Sequence, residues 1–488
     1  MTGAPIVAQL PLWPLADWPP KKPPKRPSLS TFGQQPERLP AFVRDCPVAR
    51  RLLDLLAPLH WDGVPERNLT RDWGQTTIPL TALIAAWLIK VNEGRRSMAD
   101  LRNYLVEHPA LIWLLGFPLQ PAPNQPLGFM AHASLPTHLH LAHLWRVLPN
   151  AALQFLLADS VRLILAELQR LGLARPECIS LDTKHIIAWV KENNPKAYVP
   201  NRFDKAQQPP GDPDCRLGCK RRSNQGRPPA TPTHQGVPFK TVKRAEYYWG
   251  YGSGAVVTKV PDWGEFVIAE LTQPFDKGDQ TYFFPLMAVT EARLGYRPRI
   301  GTFDAAFDAW YVYDYFHREN DPAGGFAAVP FSEKGGYKAD GRQFTPEGLP
   351  ICAAGLAMPL QLTYTDRTTC LVEHQRGRYV CPLPRKRSGA VACPIRHKNA
   401  KRGGCTAMMP ISIGARLRYT LDRQSDEYKD AYRQRTAVER INSQAEALGI
   451  EQPHLRNGRA IANQNTLIYV LINLRFLHRL HQRLSAIE

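Results

Sequence analysis

The stretch ISLD, Ile179-Ser180-Leu181-Asp182, marks the point at which the character of the chain changes. It is a short apolar run that ends in a carboxylate, a pattern typical of a buried strand. The segments before it carry apolar residues at helical spacing, whereas short apolar runs and helical segments alternate after it. The sequence therefore predicts an α/β region over residues 176–488 and an all-α region over residues 41–175.

The all-α region is predicted from three apolar segments with helical spacing: residues 48–59, 81–91 and 151–171. Ser97, followed by Asp100, is typical of the start of another helix, because a serine hydroxyl can accept a hydrogen bond from an unpaired amide of the first turn. Residues 1–40 are rich in proline and contain a basic cluster. This composition predicts a disordered or extended arm.

The α/β region contains further strands and helices in alternation. Strands are predicted over residues 247–260, 265–271, 299–303 and 325–329, and helices over residues 280–294, 307–318, 426–448 and 460–485. Two polar stretches, at about 195–243 and 331–410, interrupt this pattern as insertions. The order of elements is that of a ribonuclease H-like fold, although many α/β domains share a similar order.

The composition favours a polyanionic partner. The formal net charge is +19 and the isoelectric point is near 9.6. Nucleic acid is the first candidate, since basic side chains gain affinity by releasing counterions from phosphates; a basic but otherwise ordinary enzyme is the alternative. No long apolar run predicts a membrane span, and the nine cysteines, an odd number, favour a reducing cytosol over a disulfide framework.

Three carboxylates, Asp182, Asp304 and Glu439, are candidates for a metal-dependent phosphoryl-transfer site. Mg²⁺ prefers carboxylates together with water and phosphate oxygens, and a pair of ions can stabilise the attacking and leaving oxygens of a phosphodiester. Asp182 and Asp304 each close a predicted strand, whereas Glu439 lies on a predicted helix far downstream. Each also has an ordinary structural interpretation. Asp182 could be a turn or cap residue, Asp304 could cap the following helix with Asp308 as a second surface acid, and Glu439 could pair with Arg435 on the helix surface.

Several stretches give the chain a resemblance to a known family. Tyr432, Arg435 and Glu439 match a Tyr-x2-Arg-x3-Glu spacing. The other stretches are AAWLIKVNEGRRSMADLRNYLVEHPALIWLLGF at 85–117, DTKHI at 182–186, DPDCRLG at 212–218 and GTFDAAFDAW at 301–310. In this order they make residues from about 75 to 488 similar to DDE-type insertion-sequence transposases of the branch with a Tyr-Arg-Glu-Lys signature.

The resemblance implies a ribonuclease H-like catalytic domain over residues 176–488, preceded by a helical DNA-binding domain. It implies metal-dependent cleavage of double-stranded DNA at transposon ends and strand transfer into target DNA. Mg²⁺ or Mn²⁺ would be held by Asp182, Asp304 and Glu439, in a homodimer in the bacterial or archaeal cytoplasm, associated with the nucleoid when bound to DNA. Two alternatives stay open: a nuclease of the same fold without strand transfer, and an inactive DNA-binding protein derived from a transposase.

Basic residues around the predicted site are candidates for contacts to DNA. The resemblance implies that Tyr432 and Arg435 hold flanking phosphates. The signature also expects a lysine at a position where this chain has Glu446, and Arg440 and Arg456 are candidates to replace that lysine. Phosphate contacts are also expected from basic residues in the first insertion: Lys220, Arg221 and Arg222.

Five of the nine cysteines lie in the second insertion. Thiolate and imidazole are ligands that Zn²⁺ prefers, but the sequence has no Cys-x2-Cys pair with a second such pair, so the spacing favours unliganded thiols. The resembling family often has a cysteine-rich insertion at this place, which implies a structural zinc site as a second hypothesis. Its candidate ligands are Cys370, Cys381, Cys393, His397 and Cys405, with Cys352 nearby.

Overall fold

A computed structural model describes residues 26–66, 78–221, 245–317, 324–332, 343–367, 371–383, 393–395 and 404–485. Three residues named above, Arg222, Cys370 and His397, lie outside these ranges, as does most of the predicted N-terminal arm. Over the described ranges the chain is a mixed α/β protein. None of the described helices is long and apolar enough to cross a membrane.

Helices precede the first strand. They are α1 (Leu29–Gln34), α2 (Ala41–Arg44), α3 (Pro47–Leu56), α4 (Leu80–Asn92), α5 (Met98–Glu107), α6 (Pro109–Leu115), α7 (His138–Val147) and α8 (Ala151–Arg170). Ser97 caps α5 as predicted, because its hydroxyl accepts a hydrogen bond of 3.0 Å from the amide of Asp100. The predicted helices over 48–59, 81–91 and 151–171 correspond to α3, α4 and α8.

Helix α1 corrects the prediction that the whole of residues 1–40 is a disordered arm. Ser28 caps this helix through the amide of Thr31, and Leu29 and Phe32 are buried on one face. These two apolar residues, three positions apart, bury one side of a single turn against the other helices. The surrounding prolines and lysines concealed this short pattern in the sequence.

The main sheet has six strands: β1 (Cys178–Ile187), β2 (Arg216–Arg221), β3 (Ala245–Val260), β4 (Gly264–Pro274), β5 (Ile300–Thr302) and β6 (Phe326–Ala328). The long strand β3 pairs antiparallel with β1 along one edge, and with β2 and then β4 along the other. On the far side of β1 the pairing becomes parallel, first with β5 and then between β5 and β6. Helix α9 (Phe283–Leu294) lies between β4 and β5 in the chain, and α10 (Trp310–Phe316) lies between β5 and β6.

The second insertion is more regular than predicted. Residues from this stretch form an antiparallel three-stranded sheet of β7 (Leu360–Asp366), β8 (His374–Val380) and β9 (Thr406–Pro410). One face of it covers a small core around Met358, Tyr379 and Met409. The alternation that would predict these strands is weak, because Gly377 and several arginines interrupt it and a long segment separates β8 from β9.

The C-terminal part is helical: α11 (Ile413–Thr420), α12 (Asp426–Arg433), α13 (Thr436–Ala447) and α14 (Gly458–Ser485). The single helix predicted over 426–448 is therefore two helices with a break at Gln434 and Arg435. Helix α14 contributes to both large hydrophobic clusters of the protein and so joins the N-terminal helices to the sheet. Its buried Asn473 bonds the backbone N–H and C=O of Val267 on β4, each at 2.8 Å.

Candidate active site

Two adjacent parallel strands bring Asp182 and Asp304 to one edge of the sheet. Ser180 on β1 is in register with Thr302 at the end of β5, and their hydroxyls share a hydrogen bond of 2.7 Å. Asp182 lies two residues after Ser180, and Asp304 lies two residues after Thr302, so the two aspartates follow paired positions on neighbouring strands. Asp304 also caps a 3₁₀ turn by accepting a bond of 2.8 Å from the amide of Ala306, so the capping role and a role in the site coexist.

The break between α12 and α13 places Arg435 against this edge. Ser180 donates a hydrogen bond of 3.2 Å to the backbone carbonyl of Gln434, which ties the break to β1. Arg435 then directs one guanidinium nitrogen to Asp182 at 3.4 Å and the other to Glu439 at 2.6 Å. Asp182 and Glu439 thus share one cation, and Glu439 lies in the first turn of α13, where the helix dipole favours a carboxylate.

Burial and neighbouring charge perturb the acids. Burial raises the pKa of Asp182 to about 6; Asp304 adds to the rise and Arg435 opposes it. Burial also raises the pKa of Asp304, again opposed by Arg435. For Arg435, burial is outweighed by the negative charge of Asp182, with contributions from Glu439 and Asp304, so its pKa is raised. The negative charges of all three predicted acids therefore raise the pKa of the Arg435 guanidinium.

A fourth acid, Asp279, belongs to this group and was not found by sequence reasoning. It accepts a hydrogen bond of 2.7 Å from the hydroxyl of Thr183, and its charge contributes to the raised pKa of both Asp182 and Asp304. It lies in a 3₁₀ turn before α9. A single acid before a helix is common in proteins, so no local signal distinguished it.

The donor groups suit a divalent cation in chemical type, because Mg²⁺ prefers carboxylate oxygens. Asp182, Asp304 and Glu439 are the residues that could hold it, with Asp279 beside them. Within the described ranges, no group of three aspartate, glutamate, histidine or cysteine side chains lies close enough together to hold one ion. The positive charge between Asp182 and Glu439 is that of Arg435.

The other predicted DNA contacts have different surroundings. Tyr432 lies near the acids, where burial, together with the charges of Asp304 and Glu439, raises its pKa, and its ring stacks on Tyr428 at 5.9 Å. Arg440 pairs with Glu265 on β4 at 3.1 Å. Lys220 and Arg221 lie on β2, which β3 separates from β1; Lys220 is exposed.

Glu446 has an ion-pair partner on the facing strand. Lys184 of β1 contacts Glu446 of α13 and lies 3.6 Å from Glu451. Where the signature expects a positive charge on the helix, this chain therefore has a negative one paired with a lysine of the strand. Asp182 with Arg435, and Lys184 with Glu446, form two contacts of opposite polarity between β1 and α13.

Asp308, interpreted from the sequence as a second surface acid, is instead buried. Its side chain is 0% exposed, and its carboxylate pairs with Arg418 of α11 at 2.6 Å. It also accepts hydrogen bonds from the Tyr313 hydroxyl and the Ser332 amide. The two acids of the FDAAFD stretch therefore differ in kind, because Asp304 faces the site and Asp308 joins α10 to α11.

The zinc hypothesis stays a prediction. Cys381 and Cys405 are adjacent, since the amide of Cys381 donates a hydrogen bond of 2.9 Å to the carbonyl of Cys405. Cys393 is described, but the other two candidate ligands, Cys370 and His397, are not.

Comparison with known proteins gives no family assignment. No protein-family model matches the chain, and no curated protein matches it. The functional hypothesis therefore depends on the residues at β1, β5 and α13.

Proposed function

We propose that this protein is a DDE-type transposase with a ribonuclease H-like catalytic domain. The strand order supports the fold: β4, β3 and β1 are antiparallel neighbours, and β1, β5 and β6 continue in parallel. A ribonuclease H-like sheet has this order, with acids on the first strand and after the fourth. Asp182 on β1 would take the first of these places. Asp304 would take the second, because β5 is the fourth strand of this order when β2 is left out.

The single observation that carries the proposal is the arrangement around Arg435. Acids from β1 and α13, separated by more than 250 residues in the chain, contact the same guanidinium. Asp304 is close enough to affect the pKa of both Asp182 and Arg435. If each acid had only a local structural role, the acids would not need to lie together where β1 and β5 end.

In the proposed reaction the acids hold Mg²⁺ or Mn²⁺, which would activate water and then a 3′-hydroxyl as nucleophiles and stabilise the leaving oxygen. Asp182 and Asp304 would supply oxygens from the sheet, and Glu439 would supply one from the start of α13. Tyr432 and Arg435 lie near the same acids and would bind phosphates that flank the cut. The +19 charge of the chain favours DNA as the substrate.

The experiment that tests the function is strand transfer. The full chain is incubated with Mg²⁺, target plasmid and paired DNA fragments that carry the inverted repeats flanking its coding region. We expect cleavage at the repeat ends and covalent joining to the plasmid, in an assembly that contains a protein homodimer. Cleavage without joining would favour the nuclease alternative, and binding without cleavage would favour an inactive DNA-binding protein.

A further inference from the structure

Arg435 occupies the place between two of the acids that a metal ion would need. We propose that Arg435 is an exchangeable counterion: it pairs with Asp182 and Glu439, and a DNA phosphate withdraws it so that metal can bind. This inference rests on the proposed function, and it adds an order of events. DNA would engage first, and the metal site would form afterwards.

The geometry makes the guanidinium and a metal ion competitors. One nitrogen of Arg435 donates to Glu439 at 2.6 Å, and another lies 3.4 Å from Asp182. A hard cation would need lone pairs on the same carboxylates at about 2.0–2.1 Å for Mg²⁺. Two positive groups would then stand within a few ångströms of each other, and their repulsion is strong in a partly buried site.

The present position of Arg435 is incompletely satisfied. Within the described chain its Nε atom is buried and has no hydrogen-bond partner. An unpaired buried donor is costly, more so on a charged group. A phosphate can accept two parallel bonds from the planar guanidinium, one of them from Nε, and would satisfy this donor.

The surroundings allow the side chain to leave. The contact to Asp182 is long, and Glu439 is 56% exposed, so neither acid encloses the guanidinium. Arg435 itself stands at the break between α12 and α13, where Ser180 fixes the backbone at the preceding residue. The side chain can therefore turn outward while the helix that carries Glu439 stays docked.

This exchange couples two ligands. If DNA removes Arg435 from the acids, DNA must strengthen metal binding, and metal must strengthen DNA binding by the same factor. Without DNA, the chain would hold metal weakly. The coupling would thus restrict metal loading to the DNA-bound state.

Metal binding in the absence of DNA tests the proposal. Mn²⁺ is titrated into the metal-free full chain, and unbound Mn²⁺ is measured by electron paramagnetic resonance. We expect Arg435→Gln to bind Mn²⁺ about tenfold more tightly than the unaltered chain, a factor within the usual range of such couplings. The matched control is Arg433→Gln, whose side chain is 75% exposed and pairs with Asp430 instead of the cluster; it should change nothing.

A second arm does not depend on any substitution at Arg435. An arbitrary DNA duplex of about 30 base pairs is added at low salt, where contacts to phosphates are strongest. It should tighten Mn²⁺ binding by the unaltered chain. The Mn²⁺ that the duplex binds by itself is measured separately and subtracted. The same duplex should have little effect on Arg435→Gln. Asp182→Asn should weaken Mn²⁺ binding in every case, which places the measured ion at the cluster.

The outcomes are distinguishable. If Arg435→Gln and the unaltered chain bind Mn²⁺ equally well, and the duplex changes neither, the counterion exchange is refuted while the proposed metal site survives. If no form of the protein binds Mn²⁺, with or without DNA, the metal centre of the proposed function is refuted and the exchange with it. Tighter binding by Arg435→Gln together with a gain from DNA in the unaltered chain supports both.

Discussion

Replacing Asp308 by Asn is expected to destabilise the protein by about 3 kcal/mol, because it breaks a buried ion pair. Both carboxylate oxygens contact the guanidinium of Arg418, at 2.9 and 2.6 Å, and that guanidinium is only 14% exposed. Asparagine keeps the shape of the side chain; its single amide oxygen can still accept the bond from the Ser332 amide, and its NH2 group can donate to the Tyr313 hydroxyl in place of the bond that the carboxylate accepts there. It cannot compensate the charge of Arg418, and removal of one partner of a buried pair costs about 3–5 kcal/mol.

The lower end of that range applies for two reasons. Arg418 retains some contact with water, which screens its charge, and two of the hydrogen bonds to position 308 can persist. The measurement is urea unfolding of the full chain at neutral pH, followed by circular dichroism.

The matched control for this prediction is Asp304→Asn, in the same short motif. The carboxylate of Asp304 is bound by the amide of Ala306, and asparagine is an equally good capping residue. Burial already disfavours its charge, since its pKa is raised, so the substitution should change stability by less than about 1 kcal/mol. Equal shifts for the two variants, or no shift for Asp308→Asn, would refute the assignment of Asp308 as a buried structural acid.

Three further predictions concern other polar groups. Burial raises the pKa of Glu270 to about 7, so the free energy of unfolding should fall by roughly 3 kcal/mol as pH rises from about 4.5 to 7. In urea titrations at pH 5 and pH 8, Glu270→Gln should remove this fall. The same pH profile in the variant and the unaltered chain would contradict the prediction. Asn473→Ala should cost about 3 kcal/mol in unfolding free energy, because the N–H and C=O of Val267 lose their partner; a neutral effect would show that the bridge is dispensable. Alanine substitutions of Lys184 and Glu446 should be non-additive by about 1 kcal/mol in a double-mutant cycle, since the pair is partly exposed, and additive effects would rule out an energetic coupling.

The elements that the sequence predicted well are those with a strong local pattern. The strand predicted over 247–260 is β3 with two more residues, and the apolar segments at 81–91 and 151–171 are α4 and α8. The run that ends in Asp182 is the first half of β1. In these cases burial on one face, or on all faces, is visible in consecutive residues.

The elements that were missed depend on distant partners. β2 lies in a polar, proline-rich stretch and is a strand because β3 offers it an edge. The break at Gln434 interrupts an otherwise helical pattern, and Ser180, 254 residues away, contacts it. Similarly, the burial of Asp308 follows from Arg418, 110 residues further along the chain. Such long-range pairings leave no periodicity in the local sequence.

The candidate site shows the same division. Asp182, Asp304 and Glu439 were predicted from their motifs. Asp182 and Glu439 contact Arg435 and the charge of Asp304 acts on its pKa, although the catalytic role of the three acids stays a prediction. Asp279 was missed because only the folded chain joins it to Thr183. The pairing of Lys184 with Glu446 likewise gives a structural reason for a residue that departs from the signature.

The most direct test of the central claim is DNA cleavage by the Asp304→Asn variant. The substrate is a DNA fragment that carries one inverted repeat from beside the coding region, with Mg²⁺ present. We expect cleavage to fall by several orders of magnitude while binding of the fragment persists, because basic side chains supply most of the affinity and the substitution removes only a carboxylate charge. Cleavage near the unaltered rate by a folded Asp304→Asn variant would contradict the claim that Asp182, Asp304 and Glu439 form the catalytic metal site.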